Sequence, residues 1–299
     1  MNPTPHIAAA RRARLSRWLG VATWYATGAL LLLFFLFPLA FMAVSAFKTD
    51  EAQLLRDMAG FDAFRLHGTV GWDNFTQVLG QTNFLRALGN STLVVGLTVV
   101  AGVFVNSALA YALARLQFPG RGLLVSAIVA LIIVPFEAIA VPLLLLVNQL
   151  PWWGGQVGWL DSYQVQVIPF IAHAFSVFLF YQFFIALPRD LEEAARMDGA
   201  GPLRIYWSIV LPLSKPVIAT VVILQFLARW GDLLWPVMVV RGPVFETLPL
   251  AMQTFFGQFP RQWGPVMAFA VMTTLPTLLV FIVFQRWFVK SAISSGIKG

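Results

Sequence analysis

The chain of 299 residues is dominated by long apolar runs separated by shorter polar stretches. Six runs stand out, at about 21–47, 91–114, 123–147, 165–187, 216–240 and 266–287. Each is long enough for a helix that crosses ~30 Å of hydrocarbon, which takes about 20 residues. The pattern predicts six transmembrane helices. The first run has a basic flank (Arg11, Arg12, Arg14, Arg17) and a weak cleavage-like Val44-Ser45-Ala46. A signal core is about 7–15 residues, however, and this run is much longer, so it reads as a retained helix. No internal repeat or low-complexity tract interrupts the pattern, which implies one membrane domain over 1–299.

Composition agrees with that reading. Hydrophobic residues make up 59% and charged residues 11%, against about 25% charged in an ordinary soluble domain. Too little polar surface remains to cover a soluble globule, which excludes soluble enzymes and disordered or fibrous chains. The absence of cysteine excludes disulfides, thiolate zinc sites, iron–sulfur clusters and a cysteine nucleophile. With only His6, His67 and His173 present, a histidine-rich metal centre is not expected either.

The net charge of +7 acquires meaning from its placement. Six spans put both termini on one side. The N-terminal tail, Arg115, Arg121, the loop with Arg189, Arg196, Arg204 and Lys215, and the C-terminal Arg286, Lys290 and Lys298 all fall there. Only Lys48, Arg56, Arg65, Arg86, Arg241 and Arg261 fall on the other. The positive-inside rule makes the terminus side cytoplasmic. The basic charge is thus a topological signal and does not call for nucleic acid. The longest outer loop, about 48–90, contains a turn-like Gly71-Trp72-Asp73-Asn74. The next contains Trp152-Trp153-Gly154-Gly155, a pairing typical of the interfacial belt that also suits contact with an external partner.

The most informative stretch lies between the fourth and fifth spans, about 188–215. Asp190 with Glu193 reads as a capping box. Residues 191–198 form about two turns of good helix formers. Gly199 fits the left-handed position that ends a helix, and Pro202 suits the first turn of the next. The expected product is a helix–turn–helix elbow on the cytoplasmic face. So short a helix needs something to pack on, so the elbow is either a surface-lying connector or a docking element.

The same residues resemble the signature of the membrane subunits of ABC importers: Glu-Ala-Ala, three residues, Gly, nine residues, Ile, one residue, Leu-Pro. Glu193, Ala194, Ala195, Gly199, Ile209, Leu211 and Pro212 match every fixed position. Tyr111-Ala112-Leu113-Ala114-Arg115-Leu116 with Phe118-Pro119-Gly120-Arg121, Trp230-Gly231-Asp232-Leu233-Leu234-Trp235-Pro236, and the C-terminal stretch from Phe288 resemble the carbohydrate branch, of the maltose and glycerol-phosphate type in its second permease position. The likeness covers a core of about 84–290. Gly231 replaces a usual Asn, Arg229 is unexpected, and Lys290-Ser291 departs from a commoner basic-Gly pair, so substrate identity does not carry over. The resemblance implies an all-α integral membrane protein with the type I ABC importer permease fold. It makes the elbow a coupling helix, with Glu193, Ala194, Ala195, Asp198, Gly199, Ile209, Leu211 and Pro212 coupling to an ATPase. It further implies a second permease, an ATPase dimer and an extracytoplasmic solute-binding protein. The setting would be a bacterial or archaeal inner membrane. No cofactor is expected in this chain, ATP and Mg belonging to the partner ATPase.

Ionisable groups in hydrocarbon need an account. Arg229 and Asp232 are three apart in the fifth run and share a helix face, reading either as an internal ion pair or as a polar lining of the path. Glu137 follows Pro135 in the third run, where a bent helix beside a cavity is expected. His173 lies in the middle of the fourth run, as a packing residue or a path residue. Trp230 and Trp235 suit packing or stacking on a sugar. A phosphate-binding Gly-x-x-x-x-Gly-Lys-Ser/Thr loop and a His-Glu-x-x-His pair are absent from the sequence. An ion-gradient-driven transporter, or an intramembrane enzyme using Glu137, Asp232 or His173, would leave the elbow unexplained. The chain is therefore read as a transport subunit and not an enzyme.

Overall fold

A computed structural model describes the backbone of residues 5–152 and 157–296, and side chains over 17–152 and 157–285. Trp153, Gly154 and Gly155 lie outside the described residues; Trp152 is exposed, its ring 5.5 Å from that of Trp159. Among the described residues the structure is helical, with only isolated bridges at Lys48–Val70 and Pro151–Val157. The principal helices are α1 (Pro5–Ala46), α2 (Phe84–Arg115), α3 (Arg121–Ile133), α4 (Phe136–Val147), α5 (Ala174–Ala186), α6 (Asp190–Met197), α7 (Lys215–Trp230) and α8 (Trp263–Gly296).

Four stretches are each long and apolar enough to cross a membrane: Arg17–Ala46, Phe84–Arg115, Tyr163–Ala186 and Trp263–Gln285. Six result if two bent pairs each count as one span. The third run, where the prolines lead to the expectation of a bent helix, is one of these pairs. It breaks between α3 and α4, with a bend of 106°. Pro135 pushes Val134 out of the helical region (φ −74°, ψ 115°), because the proline ring clashes with a helical predecessor. The fifth run departs from expectation. α7 ends at Trp230, and a separate short helix follows at Leu234–Val239. The fourth is interrupted too, with a helix at Tyr163–Val167, a 3-10 turn at Ile168–Phe170, and a gap before α5.

The chain divides into two compact units. The first comprises Met1–Val78 with Phe259–Val271. Its centre is Lys48, whose side chain is buried and whose Nζ donates to Asp57 Oδ2 (2.6 Å) and to the Asp62 carbonyl (2.7 Å). Asp50 caps the helix Glu51–Asp57, its Oδ1 accepting from Ala52 N–H at 3.0 Å. The turn-like Gly71-Trp72 leads directly into a helix at Asp73–Gln81. There Asn74 is buried, and its Nδ2 donates to the carbonyls of Ala46 (3.0 Å) and Lys48 (2.7 Å), closing the end of α1. The Glu51 carboxylate accepts from Trp263 N–H (2.8 Å) and Gly264 N–H (3.2 Å), satisfying the first donors of α8.

The second unit comprises Leu79–Gln258 with Met272–Gly299. Here α2 is the central post. One apolar cluster joins Val103, Ala110, Tyr111, Leu113 and Ala114 of α2 to Val177, Phe180 and Phe184 of α5 and to Val217 and Val221 of α7. Small residues let the helices approach closely: at Gly102 an added Cβ would meet the Gln225 amide at 2.7–2.8 Å. Asn90 Nδ2 donates to the carbonyls of Val244 and Glu246, and Ser91 Oγ accepts from Leu248 N–H, holding the connection that follows Val239.

Gly102→Val is expected to lower the stability of the detergent-solubilised protein by about 1–3 kcal/mol, the usual range for overpacking. Adding Gln225→Ala should recover most of the loss in the same thermal melt. A second expectation concerns pH. The hydrogen bond from Lys48 holds the Asp57 carboxyl below its ordinary value of 3.8. Its contribution is then complete above that value and is lost as pH falls through the lower folded value. Amide protection at Thr49 and Gly71, corrected for intrinsic exchange, should follow this course and lose it in Asp57→Asn.

Candidate functional site

The elbow between α5 and α7 is formed as expected in outline and differs in its start. α6 begins with Asp190 inside the helix. Arg189 occupies the cap position with helical angles (φ −77°, ψ −22°) and no side-chain cap bond. The expected Asp190–Glu193 capping box is therefore not made, since it requires an extended cap residue. The Arg189 carbonyl instead accepts from the amides of Glu192 and Glu193. At the other end Gly199 has φ +80°. Ala200 N–H reaches back to the Ala195 carbonyl (2.9 Å), a Schellman closure that favours glycine at this position.

The second arm starts at Pro202 with Pro202–Ile205 and passes into a π-turn at Tyr206–Val210. Pro212 has no N–H to donate, and Leu211 N–H bonds instead to the Tyr206 carbonyl, five residues back. At Ser214, Oγ donates to the Val210 carbonyl (2.5 Å), and the chain turns 77° into α7. Ile205, Tyr206 and Val210 are buried in the α2–α5–α7 cluster. The second arm is thus built into the body of the unit. Glu193, Ala194, Met197, Asp198 and Gly199 are exposed, as is Pro212; Ala195, Ile209 and Leu211 are half-buried.

What holds the elbow is a face of α2. Ser107 Oγ and Tyr206 Oη share a hydrogen bond of 2.7 Å. Tyr111 Oη donates to the Pro202 carbonyl (3.2 Å). Arg115 donates to the Leu187 carbonyl at the end of α5 (2.8 Å) and pairs with Glu192 (Nε to Oε1 2.7 Å). Both members of that ion pair are buried, with side-chain exposures of 3% and 6%. A charged cleft of about 520 Å³ opens beside them, lined among others by Arg115, Arg189, Glu192, Glu193 and Arg196.

The expected path residues gather at the helix breaks. Arg229 and Asp232 do form an ion pair, but not on one helix face, because α7 has ended before Asp232. Arg229 also donates to the Gln166 carbonyl (3.2 Å) and lies 3.6 Å over the Phe170 ring. Asp232 Oδ1 accepts from Trp235 N–H (3.3 Å), starting the next short helix. Phe136, Phe170 and Trp235 stand ring against ring at 5.4–5.9 Å. The breaks of the third, fourth and fifth spans therefore meet around one cationic and aromatic cluster. His173, expected in mid-helix, sits in the break itself with extended angles. Asn106 of α2 accepts from the His173 amide (2.9 Å) and donates to the Ile171 carbonyl (2.9 Å). Glu137 is exposed in the first turn of α4.

The Trp230 indole donates to the Thr273 carbonyl and its ring stacks on Phe226. Trp235 is fully buried and donates to the Val165 carbonyl (2.8 Å). In this conformation both are packing residues.

Residues 98–293 match the family described as binding-protein-dependent transport system inner membrane component. The chain belongs to this family. It is similar to the arabinooligosaccharides transport system permease protein AraQ of Bacillus subtilis, with 32% identity over 90% of this chain and 93% of the relative. It is also similar to the sn-glycerol-3-phosphate transport system permease protein UgpE of Yersinia pestis, at 32% over 88% and 92%. In fold it matches a chain from a bacterial ABC transporter involved in import of the acidic polysaccharide alginate, with a TM-score of 0.75, 22% identity, and 92% and 98% of the two chains covered. A second match is a chain from the alginate transporter in complex with alginate pentasaccharide-bound periplasmic protein, with a TM-score of 0.62 and 15% identity, over 91% and 94%. The relatives are permease subunits, which are not themselves enzymes.

Some residues that build this permease's site were not singled out by sequence reasoning. These are Ser107 and Asn106; Tyr111 and Arg115 were named only for the family resemblance, and their contacts with Pro202, Leu187 and Glu192 were not foreseen. The available signal was spacing: Ser107, Tyr111 and Arg115 recur every four residues along α2, which puts them on one face. Asp232→Asn is expected to leave Arg229 uncompensated and to cost about 3–5 kcal/mol of stability in detergent. Removing both charges (Arg229→Met with Asp232→Asn) should cost distinctly less in the same melt.

Proposed function

We propose that this permease is the transmembrane subunit of an ATP-driven importer for a sugar or sugar-like solute. It works by alternating access, with a separate ATPase coupled through residues 193–212. The observation that carries the reading is the form of the elbow. A two-turn helix, closed by a left-handed glycine and held by α2, leaves Glu193, Ala194, Met197 and Asp198 exposed, with Leu203 exposed at the start of the second arm. So much exposed apolar side chain beside carboxylates on a short helix suits a protein partner better than water. The adjoining cleft of mixed charge offers that partner sites for charged side chains.

ATP binding closes the ATPase dimer, α6 moves with its docking cleft, and the 77° bend at Ser214 passes the motion into α7. Glu193 acts at the docking surface, and Gly199 sets the angle of the turn. A second, homologous permease completes the path, and a solute-binding protein delivers from outside. Both termini are cytoplasmic. The broken spans supply the polar path, with Glu137 and His173 lining it, while Arg229, Trp230, Asp232 and Trp235 hold its walls. Half-helix ends near the midplane are where many transporters bind their cargo. Sugar-like cargo is favoured by the cargo of the similar permeases.

The test is purification of the tagged chain from native membranes in mild detergent. A second permease and an ATPase with a phosphate-binding loop should co-purify. Gly199→Asp should assemble poorly or hydrolyse ATP without uptake, because a side chain at φ +80° is strained. A homo-oligomer without ATPase, or normal uptake by Gly199→Asp, would overturn the coupling assignment in favour of an ion-driven carrier.

A further inference from the structure

One face of α2 carries Ser107, Tyr111 and Arg115 on three successive turns, and each meets a different part of the elbow. Ser107 meets Tyr206 in the second arm, Tyr111 meets the Pro202 carbonyl at its start, and Arg115 meets Leu187 before the first arm and Glu192 within it. The first two contacts fix the second arm, which is also buried among apolar neighbours. The first arm, α6, is less deeply set: of its eight residues only Glu192 is buried, with half-buried Ala195 packed against the apolar cluster. Arg115 is accordingly the one polar anchor on α2 that reaches both the entry to α6 and its first turn.

We propose that Arg115 is a positioning residue that sets the orientation of α6 relative to α2, so that a force applied at the exposed face of α6 reaches the membrane helices instead of merely rotating the elbow. The physical case has three parts. Arg115 and Glu192 are buried together, so neither charge can be left alone without cost. The guanidinium reaches the Leu187 carbonyl through a hydrogen bond and the Glu192 carboxylate through an ionic contact at once, so one planar side chain ties both to α2. The pair contact is ionic and is not an aligned hydrogen bond. It therefore tolerates the small reorientations that a moving joint needs while opposing separation. The consequence for transport rests on the docking reading given above; the geometry of the anchor does not.

The chain has no cysteine, so two introduced thiols can be spin-labelled without background. Labels at Met197→Cys on α6 and Val105→Cys on α2 report the orientation of the elbow in the full chain in lipid nanodiscs. The otherwise unaltered chain should give a single narrow distance. Arg115→Gln should lose it, giving a broad or shifted distribution. Because that variant leaves Glu192 bare in a buried site, the double neutral variant Arg115→Gln with Glu192→Gln is the decisive one. It removes both charges and should still lose the single distance. Arg115→Lys keeps the charge without the planar guanidinium and should restore it in part, a recovery that simple filling of space would not produce. A narrow, unshifted distance in the double neutral variant overturns the proposal.

Unlabelled versions of the same chains, purified from native membranes, separate this result from the docking reading. If ATPase accompanies the unaltered chain while the distance is insensitive to Arg115, only the present inference fails. If no ATPase accompanies the unaltered chain, the docking reading fails and the consequence drawn for transport falls with it.

Discussion

Backbone groups released inside hydrocarbon must find partners within the protein, and this requirement shapes the second unit throughout. Three of its spans are broken, at Pro135, at 171–173 and at 231–233. At two of these breaks buried polar side chains do the satisfying. Asn106 takes both the carbonyl of Ile171 and the amide of His173. Arg229 takes the Gln166 carbonyl, while Asp232 takes the Trp235 amide. A polar residue on a long apolar helix is costly alone. Here Asn106 and Arg229 are also what permit the neighbouring helices to be irregular, and irregular backbone is where a path can acquire polar character.

The elbow follows the same logic at the membrane edge. Its second arm is tied down by tyrosines that keep an apolar body in the cluster and a hydroxyl on a partner: Tyr111 on the Pro202 carbonyl and Tyr206 on Ser107. Its first arm is left nearly free, with Glu192 turned inward and Glu193 and Met197 turned outward. Adjacent glutamates therefore have opposite roles. One is an internal counter-charge for Arg115, and the other belongs to the exposed face. A helix places neighbours about 100° apart, so an acidic doublet divides in this way as soon as one side has a buried cation beside it.

The first unit shows how a loop between spans becomes structure. The segment after α1 looks merely polar and long in the sequence, yet it encloses a buried lysine with a carboxylate and a carbonyl as partners. It also returns Glu51 to cap α8 and Asn74 to close α1. These bonds join positions more than 200 residues apart in one case, and no local pattern announces them.

What the sequence determined by itself rests on local or compositional physics. Length and apolarity of a run decide that it enters the bilayer. Glycine's freedom at positive φ places the turn at Gly199, local capping and turn chemistry outlined the elbow, and the fixed residues of the elbow carried the resemblance to the family. The proline at 135 announced a bend. What only the tertiary structure decided depends on groups brought together from different elements. Arg229 and Asp232 were legible as a pair, but not as the junction of three broken spans, because their other partners, Gln166, Phe170 and Trp235, come from elsewhere in the chain or beyond the helix end. Asp190 satisfied the cap pattern and was overruled once the cap position fell on Arg189 in a helical conformation and Glu192 turned toward Arg115. A buried charge answers to whatever lies across the packing interface, and periodicity along one segment carries no information about that partner.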